Sequence, residues 1–183
     1  MLKTNHTKLF LYINILITVF SFSEVRANNP IIFSEDNFQI NNIKPLYIYE
    51  DTSSKLNIYD VLEIDSFITN EVSPPNLGLS NSTFWIKFKI KNNSIYKNLI
   101  LGCSYSILDE IELYTLKNDS IYKKTILGDR YYFSKRNYDH QYFMYDVNIK
   151  KGETQEYLLR IKSWEQIVVP LFIGTPKAVF EST

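Results

Sequence analysis

Two histidines, one cysteine and no glycine-rich phosphate loop leave this chain few groups for covalent or acid–base chemistry. His6 belongs to the N-terminal leader, and His140 has no cysteine or second histidine at metal-ligand spacing. No zinc site is therefore expected. Neither a phosphate-cradling loop nor a nucleophile elbow is present. Glycoside hydrolysis needs two carboxyls flanking one bond. Asp109 and Glu110 are adjacent, and neighbours on a strand point to opposite faces, so they cannot form that pair. The expectation is a protein with no catalytic residues, no metal and no cofactor. It binds rather than turns over.

Binding chemistry is better represented. Trp164 lies in Lys162-Ser163-Trp164-Glu165-Gln166, a polar tip between two strand-like runs. A flat, partly exposed indole can stack on the apolar face of a sugar ring while polar neighbours take its hydroxyls. The structural alternative is an indole folded back on the end of the domain. Residues 128–141 add a loop carrying Arg130, Tyr131, Tyr132, Lys135, Arg136, Tyr138 and His140. Loops on a rigid scaffold concentrate binding residues, so this one offers a second wall. Its plainer reading is a long solvated crossover rich in tyrosine. His140 also brings a side chain whose charge changes near neutrality. Trp85 shares a nominally wet face with Lys87 and Lys89. There the favoured reading is packing, with the lead-in or a crossover segment laid over the ring.

The elements that must position these groups are strands. Phe84, Ile86, Phe88 and Ile90 alternate with Trp85, Lys87, Lys89 and Lys91. Phe143, Tyr145, Val147 and Ile149 repeat the rhythm, as do Tyr157, Leu159 and Ile161, and Ile111 with Leu113. Further candidates span 46–50, 98–105, 121–126 and 167–173. Aromatics make up 15% of the residues, with 14 Tyr and 12 Phe, and with abundant Ile this favours sheet over helix. One dry and one wet face per strand predicts antiparallel sheets packed face to face. Asn92-Asn93-Ser94, Asn118-Asp119-Ser120 and Lys150-Lys151-Gly152 have the residue types of tight hairpins. Pro170 lies inside the last run and predicts an edge strand or a bulge. Residues 59–76 lack a clean period and read as a long crossover with one helical turn.

The N-terminus sets the compartment. Lys3 and Lys8 precede the apolar stretch Leu9 to Phe22, and Val25-Arg26-Ala27 offers small residues where a signal peptidase reads. That is the order of a secretory signal peptide. The stretch is short for a spanning helix and Asn14 interrupts it, although an uncleaved anchor is the alternative. Cys103 is far from this region, which argues against a lipid anchor. A lone cysteine cannot pair within the chain, and among alternating apolar residues it reads as core. Basic and acidic side chains number 20 each, so no electrostatic drive toward nucleic acid or anionic membrane exists. The predicted organisation is a signal peptide over 1–27 and a loosely attached lead-in over 28–43. A β-sandwich domain over 44–175 and a C-terminal tail over 176–183 complete it.

Several runs in order resemble a known family. They are Leu46-Tyr47-Ile48-Tyr49-Glu50-Asp51, Asn76-Leu77-Gly78-Leu79-Ser80 leading into Thr83-Phe84-Trp85-Ile86-Lys87-Phe88, Leu108 to Tyr114, Gly128-Asp129, and Tyr157-Leu158-Leu159-Arg160-Ile161. Their spacing resembles the type-two extracellular domain of bacterial seven-transmembrane receptors with diverse intracellular signalling modules. The resemblance implies an all-β jelly roll related to carbohydrate-binding modules, placed in the periplasm or on the outer face of the cytoplasmic membrane. It also implies that Trp85, Gly128 and Asp129 belong to the framework, to which Gly152 is added as a turn residue. The implied function is non-catalytic sensing of a carbohydrate or another small polar ligand. In such receptors a membrane and output module follows, such as a kinase. Here it would come from a longer chain or a partner, since no further apolar span precedes Thr183. The alternatives are a free-standing carbohydrate-binding module or adhesin, and a receptor dimerisation domain without a small ligand.

Overall fold

Wherever apolar and polar side chains alternate, the chain extends. The computed structural model describes residues 29–118 and 120–181. The signal peptide expected over 1–27 lies outside them. The strands are β1 (Ile31–Phe33), β2 (Gln39–Asn41), β3 (Leu46–Asp51), β4 (Ile68–Asn70), β5 (Asn76–Gly78), β6 (Thr83–Asn92) and β7 (Asn98–Cys103). They continue with β8 (Glu110–Lys117), β9 (Ser120–Leu127), β10 (Phe143–Asn148), β11 (Thr154–Lys162), β12 (Ile167–Val168) and β13 (Leu171–Gly174). Two short helices, α1 (Ile58–Leu62) and α2 (Pro176–Glu181), and a 3₁₀ turn at Phe133–Lys135 complete the set.

Two sheets form a β-sandwich. The larger has the order β4-β3-β6-β11-β8-β9, with β1 added in parallel to the end of β6. The smaller has the order β10-β7-β13-β2, and β12 pairs with β5 in a separate ribbon. Between the sheets lies one apolar cluster. Phe84, Ile86, Phe88 and Ile90 of β6 meet Leu99, Leu101 and Cys103 of β7, with Tyr145, Val147, Leu171 and Ile173 from its neighbours. Each such buried side chain contributes roughly 1.5–3 kcal/mol by leaving water. Tyr145 carries a hydroxyl into this layer and donates it across the gap to the Ile111 carbonyl at 3.3 Å. Burial pushes the Cys103 thiol up to about 12, so it packs here as a small apolar residue.

Four sequence expectations change. The lead-in is not loose: β1 and β2 are woven into both sheets, and Phe33 is fully buried. The alternating stretches there are only three residues long, too short for a rhythm to register. The tail 176–183 contributes α2, which buries Val179 against the smaller sheet. Of the three tight turns, Asn118 serves a true β8–β9 hairpin, whereas the other two carry the chain from one sheet to the other. Asn92 anchors one of these crossings from full burial. Its amide donates to the Tyr96 and Ile149 carbonyls, both at 2.7 Å, and its oxygen accepts from Ser94. Pro170 sits between strands rather than within an edge strand, where the chain leaves the β12 ribbon for the centre of the smaller sheet. The 59–76 crossover does hold one helical turn, α1, followed by the short strand β4. Asn57 caps α1 by accepting from the Tyr59 and Asp60 amides, and Asp60 returns a bond to the Asn57 amide.

Candidate functional site

The structure divides the seven candidate binding residues between two places. Trp164 projects from the tip between β11 and β12 and is 67% exposed. Asp109, just before β8, organises that corner. Its carboxylate accepts from the Ser163 hydroxyl at 3.1 Å and from the Trp164 amide at 2.7 Å. The Asp109 carbonyl accepts from the Arg130 amide, which brings Arg130 to the same corner. Gly128 precedes it with φ +144°, and a Cβ there would stand 2.0 Å from the Asp109 carbonyl oxygen. Only glycine allows that approach. Asp129 holds the turn through its amide to Leu108. Gly152, at φ +82° in the turn before β11, faces open space, so its demand is conformational alone.

The Arg130 guanidinium is already engaged by Glu110 at 2.6 Å. Glu110 also pairs with Arg160, which reaches Glu112, and Lys124 closes the chain on Glu112 at 2.9 Å. Burial pushes the Glu112 carboxyl up. The Tyr114 hydroxyl, the Lys124 ammonium and the Arg160 guanidinium outweigh it and hold the group below the usual range. These charges satisfy one another and leave little for an anionic ligand. Tyr131 lies against Lys135, and Tyr132 stands 84% exposed.

Arg136, Tyr138 and His140 go elsewhere, to the loop before β10, from which Tyr138 packs on the outer face of the smaller sheet. Arg136 spends its guanidinium on the His140 and Gln141 carbonyls, at 3.0 and 2.6 Å, and stacks between Phe133 and Phe143. Tyr138 donates to the Asp146 carboxylate on β10 and packs its ring on Phe180. His140 Nδ1 accepts from the Tyr142 amide at 3.0 Å, and its ring meets Tyr142 edge-on at 4.6 Å. These three side chains clamp the loop. Of the three, His140 makes the direct contact with Tyr142.

Beside that clamp lies a cleft of about 310 Å³, lined by Gln39, Asn41, Asn42, Ser104, Tyr142, Pro170 and Phe172. Phe172 lies over Gly102, where a Cβ would come 2.2 Å from the ring, and contacts Tyr142 at 6.2 Å. Gln39 Nε2 donates to Asn41 Oδ1 at 2.8 Å. Among the described residues, no hydrogen bond engages the Asn42 amide group or the Ser104 hydroxyl. None of the lining side chains is charged. The sequence reading missed all of these residues. Gln39-Ile40-Asn41 does alternate, but over too few positions to stand out from a coil.

Trp85 is wholly buried on the opposite, larger sheet. Ile58 and Val61 of α1, with Phe67, close over it, and Tyr114, Leu116 and Leu158 flank it. No group of three or more metal-ligating side chains occurs among the described residues, and no helix among them is long and apolar enough to cross a membrane.

The fold is that of an all-β sandwich domain, with neutral polar side chains lining a cleft on one sheet face. Residues 44–175 match the family described as 7TMR-DISM extracellular 2, which is more than half of the chain. The chain belongs to that family, the extracellular sensor domain of seven-transmembrane receptors with diverse intracellular signalling modules. No curated protein matches it significantly.

Proposed function

We propose that this chain is an exported, non-catalytic domain that senses a carbohydrate or another small polar ligand outside the cytoplasmic membrane. Its output passes through a membrane and signalling module on a longer chain or a partner. One observation supports the reading above the rest. The smaller sheet's outer face, beside a loop clamped by Arg136, Tyr138 and His140, stays open and presents neutral hydrogen-bonding groups next to aromatic rings. Pre-formed concave sites of this kind suit small ligands.

Thermal shift of the purified chain with a panel of sugars, amino acids, nucleosides and dicarboxylates tests it. A ligand at 100 times its Kd adds about 2.7 kcal/mol of stability. A saturable shift with one compound class is expected.

An association domain without a small ligand is the second reading, and a different surface favours it. Phe38, Tyr96, Thr175, Pro176, Lys177, Ala178 and Glu181 line a largely apolar groove of about 580 Å³ alongside α2. Silence across the whole panel, with dimers that grow with concentration, selects that reading instead.

A further inference from the structure

We infer that the cleft on the outer face of the smaller sheet is the ligand site, and that it takes a neutral polyhydroxylated ring such as a pyranose. This rests on the sensing reading and deepens it. The argument begins with what lines the cleft. Gln39, Asn41, Asn42 and Ser104 supply amide and hydroxyl groups, each able to donate and to accept. A sugar hydroxyl needs that double capacity. A carboxylate or phosphate ligand requires cationic partners, and an ammonium requires anionic ones; neither kind lines the cleft.

Its shape restricts the ligand further. At about 310 Å³ the cleft is at the lower end of small-molecule sites, roughly 300–1,000 Å³, so it suits one or two rings. Tyr142 is half-buried and in edge-type contact with two rings, His140 at 4.6 Å and Phe172 at 6.2 Å. A ring fixed in advance loses little freedom when a ligand stacks on it. Phe172 can pack against the sheet there only because Gly102 has no side chain. Asn42 holds the edge with φ +54°, a left-handed conformation that asparagine tolerates better than most residues and that turns the chain out of β2 at the rim. The loop from 136 to 142, which lines no site itself apart from Tyr142, serves to set that ring.

Calorimetric titration of the purified chain provides the test. The probes are glucose, galactose, mannose, N-acetylglucosamine, maltose and cellobiose, with glucuronate and glucosamine as charged counterparts. At least one neutral saccharide is expected to bind, and its charged counterpart at least about tenfold more weakly, the scale set by leaving one buried polar group unmatched. Tyr142→Ala and Asn41→Ala should each weaken binding about tenfold or more. Tyr122→Ala, on the far edge of the larger sheet and 73% exposed at the native residue, should leave it unchanged. If Tyr142→Ala does not fold, Asn41→Ala still decides, because Asn41 is exposed on an edge strand. Unchanged affinity in both cleft variants overturns the site. If Trp164→Ala then abolishes binding, the ligand sits at the β11–β12 tip and the sensing reading survives. Tighter binding of glucuronate or glucosamine than of any neutral sugar overturns the ligand class. Silence with every sugar overturns the inference too. The broader thermal-shift panel then shows whether sensing itself fails.

Discussion

The two outer faces of this sandwich carry the same kinds of side chain to opposite ends. On the larger sheet Trp85, Tyr114, Leu116 and Leu158 are sealed under α1 and Phe67. Beside them charges pair across the strands, Lys87 with Glu156 and Arg160 with Glu112. On the smaller sheet Ile100, Met144 and Phe172 are buried too, against Val179 of α2 and the 136–142 loop, but that cover stops short of the neighbouring polar positions. Beside them the cleft stays open. The difference is cover. An aromatic residue on the nominally wet face of a strand announces either a lid or a ligand. Only the segment that passes over it decides which.

Trp85→Ala should break the covered face most severely. It removes the largest fully buried side chain, and such truncations cost about 3–5 kcal/mol. Urea unfolding measures this, and a loss below 1 kcal/mol, small beside that range, would show that α1 does not seal the face. Trp85→Phe sharpens the point. The indole Nε1 has no hydrogen-bond partner among the described residues, so phenylalanine loses volume without stranding a donor. Its cost should be well under half that of alanine.

Gly102→Ala should disturb the open face by an intermediate amount. The new methyl would meet the Phe172 ring at 2.2 Å and lift it toward the cleft. Overpacking of this kind costs about 1–3 kcal/mol. A tilted ring also narrows the proposed site, so stability and saccharide affinity should fall together. Loss of one without the other would separate the ring's packing role from its place under the cleft.

A smaller effect distinguishes the charged part of the covered face. Glu112 is held below its ordinary value in the folded chain, so protonation favours unfolding. Its contribution is complete at neutral pH. It is lost as the pH drops below the ordinary glutamate range and through the lowered native value. Chemical denaturation across that acid window should therefore show stability falling, and Glu112→Gln should flatten the fall. An unaltered acid limb would place the titration on other carboxyls. Asp51 is the first to examine, because burial raises it but Ser53 and the Leu56 amide hold it down.

Strands were legible wherever alternation ran for six residues or more, as in β6, β10 and β11. The sequence rhythm also marked which of their side chains turn inward. It could not report what happens beyond the second neighbour. Asn92 and Gly152 have the residue types of a hairpin, yet the chain at both changes sheets, because local turn chemistry specifies a reversal and not a destination. Trp164, Arg130 and His140 stood out by type, and the fold then separated them, placing Arg130 with Trp164 and His140 on the other sheet. The cleft was illegible for a related reason. Its lining comes from β2, the end of β7, the start of β10 and β13, whose neighbourhood is made only by sheet order.

Trp164→Ala should have the smallest effect on folding, and that makes it the sharpest control on the comparison. The tip is held by backbone and by Ser163, both bonded to Asp109, and alanine keeps each of those contacts. The indole itself is 67% exposed, so its removal uncovers little apolar area. Surface changes of this sort stay within about 0.5 kcal/mol. Thermal unfolding beside Trp85→Ala then sets the two tryptophans of this chain at opposite ends of one scale. A loss at Trp164 approaching that at Trp85 would mean that some segment covers the tip as α1 covers β6. Exposure would then no longer separate a side chain offered to the surroundings from one spent on packing.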